Sequence, residues 1–458
     1  MMILNISIFI IQIIAFYSYF EKHKNNWSCL ITTFGAFQAG KIKNHKEYFR
    51  FFSSMFLHNS MAHLGSNSIS LFFLGYQTEN ELNNKIQYLI LYLISGLEGN
   101  FMSFLFNQTN IIISAKVFYL CYVKNFSIIR AASGNAFSDA LTSIFSRLGQ
   151  FLRLEAAEGR NPSFIRFFLS DAQNQISSLK GQLDQWLQTQ AGSPAVSIVE
   201  QPPLDGSRIA ALVRTSSEKE AYLFHSLRLS EEEAAGKDSY AQSRILFGRY
   251  LDIIKPLGLE LRTHCVRTWI YVRDIDSNYA GLVKARNDVF ALEGLTHETH
   301  YIASTGIGGA TEGRNPVVAI DFLTRPDIIE PDKTYLKALS HLSPTHDYGV
   351  AFERGVKLSD GQIFISGTAS IDNKGQVLNQ GNVLAQADRL LENISHLLLE
   401  GGSSIDKVPY FVIYLRDISD YKIVDAYMQE RFPTVPRITL EARVCRPSWL
   451  IEMECEVA

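Results

Sequence analysis

The sequence predicts an α+β protein: three tandem β-β-α-β-α-β-β repeats that form an internal pseudo-trimer, preceded by an all-α membrane segment. Three observations predict it. A strand-like run ending in aspartate recurs, closely in Ile270-Tyr271-Val272-Arg273-Asp274 and Ile413-Tyr414-Leu415-Arg416-Asp417, more loosely in Phe167-Phe168-Leu169-Ser170-Asp171. Each run is followed by apolar residues at helical spacing. The composition also changes near residue 130, from Ile, Phe, Leu, Asn and Lys to the regular Asp, Glu, Arg and Gly of a water-soluble chain.

The first stretch, 1–129, opens with an apolar run over 1–20, close to the ~20 residues that span a bilayer. Lys22 and Lys24 then supply a basic flank suited to the cytoplasmic side. Further apolar runs fall at 69–76, 86–106 and 111–123. The expected domains are therefore a transmembrane segment at 1–129 and repeats at 130–218, 219–330 and 331–458. A membrane location with a cytoplasmic globular part follows. A wholly cytoplasmic chain is the alternative if 1–129 come from joined genes.

Within each repeat the recurring run reads as a strand whose aspartate caps the next helix. Those helices carry Ile176, Leu179 and Leu183; Leu282, Val283 and Val289; and Val424, Tyr427 and Phe432. Another helix precedes each strand, at 137–152, 240–254 and 384–399. Two strands close each repeat, at 196–199 with 208–213, 300–304 with 317–323, and 437–444 with 449–457. Opening strand pairs are expected at 221–229 and 362–371, and none in the first repeat. A sheet with both helices on one face must cover the other. Three repeats around one axis would do so, and the globular part then needs no partner copy.

The net charge of −3 gives no bulk attraction to nucleic acid. Five cysteines without zinc spacing point to reduced thiols and no disulfide scaffold. No cofactor or metal is expected. The glycine-rich Thr305-Gly306-Ile307-Gly308-Gly309 joins two strands in this reading, so it lacks the strand-to-helix context of a dinucleotide loop.

The chemistry concentrates at the carboxyl terminus. Aligning the last strands sets Glu452 opposite Ala319 and Ala210, so only the third repeat carries a carboxyl there. Strand alternation puts Glu452, Glu454 and Glu456 on one face. Like charges and burial between repeats would raise the pKa of Glu452 and keep a proton available for delivery. Arg437 opens the preceding strand, and its planar guanidinium suits a carboxylate. A structural Arg437–Glu452 ion pair is the competing reading. Cys445 sits beside Arg446, a cation able to lower a thiol pKa, yet no histidine is near it in sequence. A small neutral wall residue is the simpler role. Ser366-Gly367-Thr368-Ala369 ends a strand where glycine permits close approach.

Phe364-Ile365-Ser366-Gly367-Thr368-Ala369-Ser370-Ile371-Asp372, the Tyr414–Tyr421 run, Phe432–Arg437 and Ile451-Glu452-Met453-Glu454 resemble the Rid/YjgF family in order. The resemblance implies an arginine on the penultimate strand that binds a substrate carboxylate, here Arg437, and an acidic residue on the last strand, here Glu452. Over about 134–458 the chain resembles the chorismatases more specifically, through 168–175, 199–207, 267–276, 300–309, 348–355, 366–372 and 444–455. Chorismatases are like a fused Rid trimer. The resemblance implies protonation of the enolpyruvyl ether of chorismate by Glu452 and release of pyruvate. The product is then a dihydroxycyclohexadiene carboxylate or, as a cysteine at position 445 implies, a hydroxybenzoate. Arg437 binds a carboxylate, with Tyr348, Tyr335, Arg267 and Arg446 as further substrate contacts and Cys445 in the catalytic set. The alternatives are an imine or enamine deaminase of Rid type and a membrane-anchored, non-catalytic binding protein. Residues 47–80, with His63 and Asn67, resemble the second membrane helix of rhomboid proteases. Near Ser114, Ala115 and Lys116 replace the glycine and small residue of the serine motif; Ser133-Gly134 mimics that motif but aligns better with the helix start of the first repeat, and the partner histidine helix is missing.

Overall fold

The structure, a computed structural model, describes residues 126–457 apart from 132–135, 189–193 and 218–221. The expected membrane segment and the rhomboid-like residues before 126 lie outside the described part. Leu120–Ala458 form one compact unit, separate from Met1–Tyr119. Among the described residues no helix is long and apolar enough to cross a membrane.

The described residues form three α+β repeats. The first holds β1 (Phe126–Arg130), α1 (Phe137–Ala157), β2 (Arg160–Leu169), α2 (Ala172–Gln188), β3 (Ala195–Glu200) and β4 (Ile209–Ser217). The second holds β5 (Leu223–Leu227), α3 (Ser239–Ile254), β6 (Cys265–Val272), α4 (Ile275–Leu292), β7 (Ala303–Gly308) and β8 (Val318–Thr324). The third holds β9 (Lys333–Leu336), β10 (Gly355–Leu358), β11 (Ile363–Thr368), α5 (Val383–Glu400), β12 (Phe411–Leu415), α6 (Tyr421–Arg431), β13 (Arg437–Glu441) and β14 (Ile451–Val457). The sheets run β1-β4-β2-β3, β5-β8-β6-β7 and β9-β10-β11-β14-β12-β13. In the first two the opening strand lies beside the last, a place that β11 takes in the third; in all three the last strand lies beside the middle one (β2, β6 or β12), which pairs in parallel with the penultimate.

Several expectations need correction. The first repeat does have an opening strand, β1, which lies across the boundary expected at 129. The second repeat opens with the single strand β5 where a pair was expected, and the pair expected at 362–371 is β11 alone, which forms a hairpin with the earlier β10. The glycine-rich 305–309 segment is largely β7 itself, so it is strand and not a connection. Asp171 caps α2 as anticipated, whereas Asp417 accepts from Ser419 N and caps the short 3-10 turn at Ile418–Asp420 that precedes α6. Asp274 instead adopts φ 46° with no side-chain cap, a left-handed conformation that aspartate tolerates better than most residues.

Alternation explains how both sheet faces are buried. On β2, Ile165, Phe167 and Leu169 pack under α1 and α2. Phe164 and Phe168 point the other way, into a core shared with Trp269, Tyr271 and Ala319 of the second repeat and with β14 of the third. Each fully buried phenylalanine contributes about 1.5–3 kcal/mol. Charges cross this shared core. Arg166 Nε lies 3.4 Å from Asp321, Arg267 Nη2 2.8 Å from Glu454 and Arg214 Nε 3.6 Å from Glu456. One buried ion pair therefore joins each pair of repeats.

Candidate active site

A cavity of about 210 Å³ opens between the second and third repeats. Backbone contacts set its walls. Strand β7 bridges to the loop after β13, with Gly308 N donating to Arg443 O at 2.8 Å. A Cβ on Gly308 would meet Arg443 N at 2.8 Å, so glycine permits the approach that brings in Cys445 one turn later. On the other wall, Ser304 N donates to Ser366 Oγ at 2.9 Å and Gly367 N to Thr305 Oγ1 at 2.9 Å. Strand β11 bulges against β14 between Ile365 and Thr368. That bulge leaves room for the Glu452 side chain: a Cβ on Gly367 would lie 2.1 Å from Glu452 Oε1.

Glu452 lines the cavity and is 4% exposed. Burial, and then the neighbouring Glu454, push its carboxyl up to about 8, while Arg267 and Arg354 pull the other way. The cause anticipated from strand alternation thus acts here, with burial the larger part. In the β-ladders Tyr414 faces Glu452, Tyr271 faces Ala319 and Phe168 faces Ala210, which places the two alanines at the same register as the acid.

Four sequence-selected residues meet in this cavity: Glu452, Cys445, Tyr348 and Arg446. Arg446 lies between aromatic rings, its Cζ 4.7 Å from the centroids of both Tyr348 and Trp449. Burial raises the Tyr348 phenol above its ordinary value. Cys445 sits in the wall, the simpler of its two sequence readings. Burial pushes its thiol up to about 12 despite Arg446, with the Glu452 charge adding to the rise. Tyr279 is its hydrogen-bond neighbour. Cys445 is therefore a neutral wall residue and no thiolate nucleophile.

The other three lie elsewhere. Arg437 forms no pair with Glu452 and is absent from the cavity wall. Its Nη2 donates to Asp425 Oδ1 at 2.8 Å and to Gln429 Oε1 at 3.0 Å, because the start of β13 faces α6. Tyr335 donates to Glu330 Oε1 at 2.5 Å and stacks on His300. Arg267 stands behind the cavity: it holds Glu454, which also accepts from Trp269 Nε1 at 2.9 Å and from Thr305 Oγ1.

Sequence reasoning missed Arg286 on α4 and Arg354, which also line the cavity. Arg286 Nε and Nη2 and Arg354 Nε are buried without hydrogen-bond partners. Arg354 Nη2 donates to Ser343 O at 3.1 Å, and burial lowers its pKa. Among the described residues none of Arg286, Arg354 and Arg446 makes an ion pair. The Phe352-Glu353-Arg354-Gly355 run was visible in the sequence, but nothing in it marked Arg354 as the inward-facing charge. Arg286 looks like any helix-surface arginine until α4 is placed against residues 348–354. Buried unpaired cations are costly, so this arrangement is suited to an anion beside the acid.

Comparison with known proteins agrees with this architecture. The described fold is similar to a crystal structure of a chorismatase, with a TM-score of 0.54 at 18% identity, covering 73% of this chain and 98% of that one. Residues 45–142 match the Rhomboid domain, and 88 residues are 35% identical to RHOMBOID-like protein 2 of Arabidopsis thaliana, 19% of this chain and 27% of that protein. The chain thus spans about a quarter of that relative's length. Residues 343–458 match the family Endoribonuclease L-PSP. A stretch of 97 residues is 31% identical to the 3-aminoacrylate deaminase RutC of Acinetobacter baylyi, covering 21% of this chain and 77% of that protein. Through this carboxyl-terminal part the chain belongs to the endoribonuclease L-PSP, or Rid/YjgF, family.

Proposed function

We propose that the three repeats close as an internal trimer and act as a chorismatase-type enzyme that releases pyruvate from chorismate. One observation carries the reading: a carboxyl that keeps its proton near neutrality shares a cavity with three guanidinium groups lacking carboxylate partners. Chorismate brings two carboxylates, and Arg354, Arg286 and Arg446 supply the cations that Arg437 does not. Glu452 donates its proton to the methylene carbon of the enolpyruvyl ether, giving an oxocarbenium ion. If water adds there, the hemiketal collapses to pyruvate and a dihydroxycyclohexadiene carboxylate. If the ring aromatises as pyruvate leaves, a hydroxybenzoate forms. Neutral Cys445, against Tyr279, narrows the wall beside Glu452 and favours the second outcome. The rhomboid-like residues would tether this enzyme to a membrane.

The test is pyruvate formation from chorismate by the purified full chain, read by coupled lactate dehydrogenase. Turnover is expected from the wild type and lost in Glu452→Gln. Absence of pyruvate from a folded wild type overturns the proposal. The likeness to a deaminase favours a second reading, in which ammonia appears from 2-aminoacrylate and chorismate is untouched. Arg437 turned to Asp425 counts against it, because that reading relies on this arginine. A non-catalytic binder would show neither product, yet melt higher with an aromatic carboxylate.

A further inference from the structure

Away from the cavity, the segment after β9 and helix α5 bring two imidazoles and a carboxylate together. Glu392 and His396, four residues apart on α5, share a helical face, and His341 comes from the segment packed beside it. One ligand atom from each of the three lies within 4.8 Å of the others. His341 Nε2 is 3.4 Å from Glu392 Oε1. The His341 and His396 rings stack with centroids 3.4 Å apart.

The surroundings orient these groups as they would around an ion. His341 Nδ1 lies 2.8 Å from Ser340 Oγ. When Nδ1 donates that bond, Nε2 presents its lone pair towards the carboxylate, the tautomer a metal ligand needs. Arg389 Nη1 donates to Glu392 Oε2 at 3.0 Å, leaving Oε1 for the histidine side. Arg389 Nη2 also donates to His341 O at 2.9 Å, which fixes the backbone of that residue.

We propose that His341, Glu392 and His396 form a surface site for a divalent transition ion of the zinc type. Two imidazoles and one carboxylate suit Zn²⁺ or Ni²⁺, whereas Mg²⁺ and Ca²⁺ prefer oxygen donors throughout. Three protein ligands leave a position open to water. The ring planes differ by 17° at a centroid distance of 3.4 Å, so the in-plane lone pairs lie in two nearly parallel planes and the rings must splay to converge on one ion. The bound ion would staple the segment that leads to Tyr348 and Arg354 onto α5. The site is independent of the chorismate reading, because none of its ligands lines the cavity. It departs from the expectation of no metal, which rested on cysteine spacing alone.

Isothermal titration of the full chain with Zn²⁺ and with Mg²⁺ tests it, alongside thermal melts of the same samples. The expected result is a Zn²⁺ site that raises Tm, with no response to Mg²⁺. His341→Ala and His396→Ala should each weaken that site at least about tenfold, and Glu392→Ala serves if either variant fails to fold. His297→Ala, in the separate His297–His346 pair, should bind as the wild type does. The proposal is overturned if the wild type takes up no Zn²⁺, or if all three ligand variants bind it unchanged. The three side chains would then be an ordinary surface ion pair with a stacked ring.

Discussion

Replacing Glu452 by glutamine separates the acid from the fold. Burial and Glu454 raise its carboxyl from 4.5 to about 8, whereas an unfolded chain would ionise it near 4.5. At pH 7, folding must therefore return a proton to this group. About 2.5 pH units lie between 4.5 and 7, and at about 1.36 kcal/mol each they cost the native state about 3 kcal/mol. The native state holds the extra proton between 4.5 and about 8, so stability falls as pH rises through that window and levels off above it. Glutamine keeps the shape without that cost. At about 2.1 cal/mol/K per residue over the ordered part, Glu452→Gln should raise Tm by roughly 4 °C at pH 7. Near pH 4.5 the gain should shrink to well under about 1 kcal/mol. Thermal melts of both proteins at the two pH values measure this, with pyruvate release as the paired assay. Activity should drop by about 10²-fold or more. A variant less stable at pH 7, or equally shifted at both values, would refute the account of a buried, protonated acid.

Other predictions rest on neighbouring contacts. Gly367→Ala should lower kcat by about 10²-fold while the protein stays folded, because the new Cβ displaces the Glu452 carboxyl; kinetics and circular dichroism check it. The rate should hold below pH 8 and fall above it as Glu452 ionises, read from a pH profile of kcat. Arg354→Ala should cut kcat/KM by at least about tenfold through the lost carboxylate contact. Arg437→Ala should change it by less than about threefold and cost roughly 0–1 kcal/mol for the part-exposed Asp425 pair. Arg267→Met should destabilise by about 3–5 kcal/mol in denaturant melts, since it strands Glu454.

Local pattern made much of this legible. The recurring strand–aspartate–helix runs located β2, β6 and β12 with their following helices, because alternation and helical spacing are properties of neighbours in sequence. The same alternation located Glu452 and its raised pKa. What failed depends on contacts between distant segments. Arg437 has the residue type and the strand position for a carboxylate, but α6 offers Asp425 first. Arg286 enters the cavity only because α4 packs beside residues 348–354. β1 was hidden because Phe126–Arg130 is as apolar as the segment before it, and only its pairing with β4 sets it apart. For Cys445 the adjacent Arg446 counts for little: it turns to Tyr348 and Trp449, and desolvation dominates the thiol.

The three buried ion pairs that link the described repeats are all different, Arg166 with Asp321, Arg267 with Glu454 and Arg214 with Glu456. Each seam thus has its own lock and key, and the repeats cannot trade places although their backbones follow one plan. Excising the first repeat would take Arg166 from Asp321 and Arg214 from Glu456. Expressing 343–458 alone would strand Glu454 and Glu456 together. The stretch that carries the family likeness is therefore not a portable module, and attempts to dissect this protein should keep Leu120–Ala458 whole.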